Sequence, residues 1–83
     1  MTHPGAIVVC QALDCRPHML VLNVEDDRLR TALLADLASE TVQRLRRGHT
    51  KPVVQAVLRA DAIETYWVPS DDVAPSPVLE GPP

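Results

Sequence analysis

Aromatic side chains are nearly missing from this chain, which has one tyrosine, one tryptophan and no phenylalanine among 83 residues. Pockets for small molecules are walled mostly by apolar and aromatic side chains, and about 60 ordered residues rarely enclose one. The composition therefore argues against an enzyme, and no cofactor is expected. Cysteine is scarce too. Cys10 and Cys15 lie too close in sequence to build a disulfide framework. The start, Met1-Thr-His-Pro-Gly, lacks the basic residues and apolar stretch of an export signal. A reduced, cytoplasmic protein is expected. The apolar run Met19 to Leu22, like Ala6 to Cys10, falls far short of the ~18 residues a membrane-spanning helix needs.

Acids are absent from one stretch in particular. Arg44, Arg46, Arg47, Lys51 and Arg59 follow one another with no carboxylate between Arg44 and Arg59. Residues 1–43 hold six acids against three arginines, and residues 60–83 hold five acids and no base. A chain of net charge -3 thus concentrates its positive charge on one segment. Guanidinium forks match phosphate and carboxylate oxygens, and Gly48 permits close backbone approach. Arg44, Arg46, Arg47, His49 and Lys51 are therefore the candidate binding residues for an acidic protein surface or a nucleic acid. The competing explanation is that Arg44, Arg46 and Arg47 complement a helix C-terminus and pair with Glu40 or the acidic tail. The acidic whole argues against general nucleic-acid affinity.

Hydropathy patterning outlines a small α+β domain. Ala6 to Leu13 is short and rich in β-branched residues, and His18 to Val24 reads as a second strand. Asp14-Cys-Arg-Pro17 would form the turn between them. The second strand is apolar on both faces, which fits a central strand or one covered by a partner chain. A single long helix is expected over Asn23–Arg47. Leu29, Leu33, Leu37 and Thr41 share a face with Leu34, Ala38, Val42 and Leu45, acids stand at its start, and Gly48 supplies the stop.

Beyond Gly48 two readings compete. Val53–Arg59 and Ile63–Val68 form two strands on the strength of their β-branched residues, or Thr50 and Pro52 open a second helix. The strand reading gives a β-β-α-β-β order with one long helix on an antiparallel sheet. In strands, Tyr66 and Trp67 would face opposite sides, one in the core and one exposed at an interface, unless both rest against the long helix. Residues 1–5 are expected to be a flexible start and residues 6–68 the domain. Residues 69–83, with five of the eight prolines, are expected to be a disordered acidic tail. So many aliphatics on so small a body point to a homodimer.

Thr41 to Arg59 (TVQRLRRGHTKPVVQAVLR) resembles the end of a phage-repressor-type helix-turn-helix domain, in which a recognition helix leads through a Gly-x-x-x-Pro turn into another helix. The resemblance implies a DNA-binding transcriptional regulator with Gln43 and Arg44 as base readers and Arg46, Arg47 and Lys51 near phosphates. Met19 to Leu37 resembles the first strand and helix of response-regulator receiver domains, with Asp26 and Asp27 in the place of the metal-binding acids. Acids capping a helix after a strand account for the same residues. Cys10, Cys15 and His18 lack the spacing of a zinc knuckle, and nothing orients His18 toward Cys15 for nucleophilic catalysis. No metal site is expected. The function that emerges is a small non-catalytic regulatory or adaptor protein acting by macromolecular binding, of a kind that suits a phage- or plasmid-encoded modulator.

Overall fold

The computed structural model describes residues 2–79. Five strands, β1 (Ile7–Cys10), β2 (His18–Glu25), β3 (Arg28–Leu33), β4 (Tyr66–Pro69) and β5 (Val73–Pro75), form one antiparallel sheet in the order β4-β3-β2-β1-β5. Two helices, α1 (Ser39–Arg46) and α2 (Thr50–Arg59), sit between β3 and β4 in the chain. The protein is a compact α+β body.

The first hairpin is as the alternation predicts, with Ile7 opposite Leu20 and Val9 opposite His18, although its loop extends from Gln11 to Pro17. The long helix does not form. Residues 23–33 instead complete β2 and supply β3, joined by the two residues Asp26 and Asp27, with Asp26 in the left-handed region at φ 50. Aspartate tolerates that conformation better than most side chains. The acids expected at a helix start are therefore a hairpin tip. Leu29, Thr31 and Leu33 alternate along one face of β3, and a 3-10 turn over Leu34–Asp36 leads on to the shorter α1.

The strand expected over Val53–Arg59 is α2. Val53, Val54 and Val57 fall on one buried stripe of it, so tertiary burial outweighs the β preference of valine. Pro52 sits in the first helical turn, where a missing N–H costs nothing. Of the last expected strand, only Tyr66 onward pairs, and it runs to Pro69.

The tail is a correction as well. Val73–Pro75 pair with β1, Val9 opposite Ala74, and Ser76 N donates to Ile7 O at 3.0 Å. Residues 80–83 of the expected tail lie outside the described residues.

Strand order dictates a rolled sheet. Edges separated by four inter-strand spacings would stand roughly 19 Å apart in a flat sheet. Here β4 and β5 are those edges, yet only the 3-10 turn Ser70–Asp72 joins them, advancing about 2 Å per residue. Ser70 N donates to Asp27 O at 2.7 Å, and Gln11 N donates to Asp72 O at 2.8 Å. The turn is thus tied to the β2–β3 tip on one side and to the end of β1 on the other. The register shift between Val21 and Asn23 marks where β2 bends, as bulges do.

Rolling creates two cores. Val8, Cys10, Met19, Val21 and Leu29 fill the concave interior with Leu33, Val68 and Val73, so all five strands contribute and no helix does. On the convex side, Leu20, Leu22 and Ala32 pack under Leu45, Val53, Val54 and Val57 of the two helices. The double-sided apolar character of β2 is satisfied within one chain.

Candidate functional site

Two surfaces contain the residues that the sequence singles out, and they are far apart in the fold. The first is the corner where α1 turns into α2. Arg47, Gly48 and His49 connect the helices, and Gly48 adopts φ 87 with open space where a β-carbon would stand. Gly48 N donates to Leu45 O, and His49 N donates to Arg44 O, closing the last turn of α1. Leu45 and Val53 anchor the corner from inside. Arg46, Arg47, His49 and Lys51 are exposed and Arg44 is half-buried. The structure thus brings all five predicted binding residues to one corner.

Among the described residues, the sole ion pair is Arg28–Glu25 at 3.9 Å, so none of the corner's cations has a carboxylate partner. Glu40 stands in the first turn of α1, but five of the acids lie elsewhere. Backbone bonds from Ser70 and to Asp72 gather Glu25, Asp26, Asp27, Asp71 and Asp72 around the 3-10 turn, beyond the Gln11 end of β1. The basic corner stands at the other end, where Thr50 touches Gly5, and the four residues of β1 with their flanks from Gly5 to Gln11 separate the two by at most about 20 Å of extended chain. The molecule is electrically polarised even though its net charge is small.

The second surface is the open half of the convex face. β4 places Trp67 directly opposite Arg30 and Val68 opposite Leu29. β2 places Asn23 opposite Arg30 and Glu25 opposite Arg28. Since Leu29, Val24 and Val68 face the interior, alternation turns Asn23, Glu25, Arg28, Arg30 and Trp67 outward. The Arg28 guanidinium lies over the Trp67 ring, 5.0 Å from its centroid. Arg30 Nε donates to Thr65 Oγ1 at 3.1 Å.

Both aromatics are exposed, Trp67 at 43% and Tyr66 at 38%, where one was expected in the core. The Tyr66 hydroxyl donates to Glu64 Oε2 at 2.7 Å. That bond to a carboxylate, with lesser contributions from desolvation and from the charges of Glu64 and Asp36, raises its pKa above the usual tyrosine value. Arg28 and Arg30 went unnoticed as site residues because a helical reading of residues 23–47 put them nowhere near Trp67. Strand alternation across an Asp-Asp turn was the signal that would have found them.

The other candidates separate. Cys10 is buried in the concave core while Cys15 is exposed in the loop before β2. No group of three His, Cys, Asp or Glu side chains among the described residues is placed to hold a metal ion. His18 Nδ1 is bonded to the buried Ser76 Oγ at 2.7 Å, and Val78 N also donates to that oxygen. This contact pins the segment after β5 onto β2. A shallow concavity of about 430 Å³ lies between β1, β5 and the start of α2, lined by His3, Ile7, Leu45, Thr50, Ser76 and Leu79 among others. No helix among the described residues is long and apolar enough to cross a membrane. Compared with protein families, curated proteins and solved structures, the chain matches none.

Proposed function

We propose that this chain is a non-catalytic regulatory or adaptor protein that works by holding another macromolecule, with Arg44, Arg46, Arg47, His49 and Lys51 facing an acidic partner surface. The observation that carries this reading is the separation of charge. The corner's cations have no internal carboxylate partner among the described residues, and every acid of the hairpin tip and the 3-10 turn lies toward the far end of the fold. Unpaired exposed cations on one face steer association with a complementary surface and set its salt dependence. Cytoplasmic residence belongs to the same reading, and the exposed free thiol of Cys15 suits a reducing compartment. Homodimerisation rests on the exposed apolar residues Leu13, Leu58 and Val78, because β2 no longer calls for a partner.

A second reading, a DNA-binding transcriptional regulator using residues 41–59, is favoured by one specific observation. α1, the Gly48 turn and α2 form two helices joined by three residues, a geometry used to place a helix in the major groove. α2 carries no acid, and Lys51, Gln55 and Arg59 recur along it at one-turn intervals on its exposed side. In this version α2, rather than Thr41–Arg44, meets the bases. The resemblance stops upstream, where a 3-10 turn and β3 stand in place of the helix that precedes the recognition helix in the repressor motif.

Amide-shift titrations with a polyglutamate peptide and with duplex DNA test the two readings together. Polyglutamate is expected to shift residues 44–51, with affinity that falls as salt rises. Arg46→Glu combined with Arg47→Glu should abolish the shifts and leave the fold intact. Tighter, strongly salt-dependent binding of the duplex with shifts along α2 would transfer the assignment to DNA. Binding of neither probe, or binding indifferent to the double substitution, would overturn the basic-corner reading.

A further inference from the structure

The open half of the convex face differs from the basic corner in how its arginines are held. Each is fixed by a neighbour that is not an acid, Arg28 by the indole of Trp67 and Arg30 by the hydroxyl of Thr65. Holding a guanidinium this way removes part of the side-chain entropy that a flexible arginine loses on binding. Neither the indole nor the hydroxyl neutralises the charge it holds. Only the Nε edge of Arg30 has a partner among the described residues, so its terminal amino groups remain available as a fork. Glu25 touches Arg28 at 3.9 Å with both side chains more than half exposed, and such contacts contribute little and exchange readily. Asn23, across from Arg30, uses its carbonyl oxygen on Val24 N, which leaves its amide donors facing out.

We propose that this face, built from Asn23, Arg28, Arg30 and Trp67, binds an extended acidic segment of a partner protein. In such a segment, carboxylates two residues apart would meet the two arginines, and an apolar side chain two residues further along, on the same face, would lie against the indole. The spacing supports this occupant. Arg28 and Arg30 are alternate residues of one strand, about 6.8 Å apart, and alternate side chains of an extended peptide repeat at the same interval. The ring adds apolar contact area of the kind that dominates peptide hot spots, where tryptophan and arginine are the enriched residues.

Charge favours a short peptide over a nucleic acid strand. Glu25, Asp26 and Asp27 border the face at the hairpin tip, and Asp71 lies close by, since Ser70 bonds to Asp27. A continuous polyanion running off the arginines in that direction would meet these carboxylates, whereas two carboxylates with neutral flanks would not. The proposal does not depend on the basic corner and stands or falls without it.

The test is an amide and side-chain NMR titration of the full chain with acetyl-Asp-Ser-Glu-Ser-Leu-amide, whose two carboxylates and leucine share one face when extended. The Asn/Gln version of the peptide serves as the uncharged control. The acidic peptide is expected to shift the Trp67 indole N–H and the Arg30 Nε–H saturably, and the control is not. Arg30→Gln should weaken binding by about tenfold or more, as loss of a charged hydrogen-bonding group does, and Arg30→Lys should restore only part of it. Trp67→Leu should weaken binding while the amide spectrum remains that of a folded protein.

Arg46→Glu with Arg47→Glu should leave this titration unchanged, so failure here is separable from failure at the corner. Equal shifts from the control, no saturation at millimolar peptide, or loss of binding only in the corner variant would overturn the proposal. Tighter binding of a short oligothymidylate at the same resonances would assign the face to nucleic acid instead and also overturn it.

Discussion

The two faces of the sheet solve the same burial problem by different means. The concave face is closed by curvature alone, with Val8, Met19, Val21 and Leu29 at 0–2% exposure and no helix above them. The convex face needs α1 and α2, and they cover only the half around Leu20, Leu22 and Ala32. The uncovered half carries polar and aromatic side chains. Rolling therefore lets a small chain bury one face completely and keep part of the other free for contacts. Both edges are short and end in proline, which blunts strand-to-strand aggregation.

The sharpest test of this comparison is one truncation on each face. Leu29→Ala inside the roll and Leu20→Ala beneath the helices are both expected to cost about 2–5 kcal/mol, against ~3–5 kcal/mol of total stability in a core this size. Urea titration at low temperature should show both variants largely unfolded. If Leu20→Ala releases the helices while the sheet keeps its amide protection, the two cores are separable units. Coincident loss of helix and strand signals would make them one cooperative structure.

Two glycines provide a smaller contrast. Gly5 has φ 95, and a β-carbon there would collide with the Thr50 methyl where α2 meets β1. Gly48 has φ 87 with nothing nearby. Gly48→Ala should cost only the left-handed strain, about 1 kcal/mol. Gly5→Ala should cost visibly more, because contact between helix and sheet must also shift. Thermal midpoints that fall equally would mean that the convex face tolerates loose helix docking.

The smallest effect concerns Tyr66. Its hydroxyl donates to the Glu64 carboxylate, so ultraviolet titration should place its ionisation above the usual tyrosine value near 10, and Glu64→Gln should bring it down. A folded-state pKa that is raised contributes stability below the unfolded value and loses it as pH climbs through the folded one. Stability should therefore decline only on the strongly alkaline side, and a decline near neutrality would exclude this pair as its source.

How much of this was legible in sequence depends on how far apart the cooperating residues lie. The basic corner was readable because its cations are neighbours in the chain and Gly48 marks the turn. The β1–β2 hairpin was readable because its strands are adjacent. The helix over residues 23–47 was misread because Leu29 and Leu33, one helical turn apart, are also an even number of residues apart. They satisfy both the strand and the helix periodicity, and only the turn chemistry of Asp26-Asp27 decides between them. α2 was misread from valines whose preference was overridden by burial. The Trp67 face was readable only in part, since the Asp26-Asp27 turn points to a strand carrying Arg28 and Arg30, but their meeting with Trp67 depends on the register of β3 with β4. β5 was hidden in a proline-rich stretch, although its three residues satisfy an edge strand's modest demands.

The turn that closes the roll also sets an order of events during synthesis. β1 emerges early from the ribosome, but its outer edge has no partner until Val73–Pro75 have been made. Until then that strand is open to wrong pairings and the interior lacks one wall, because non-local strands assemble last. A chain cut short before Val73 would keep that edge open to other chains, and only release of the longer chain lets Val73–Pro75 close it.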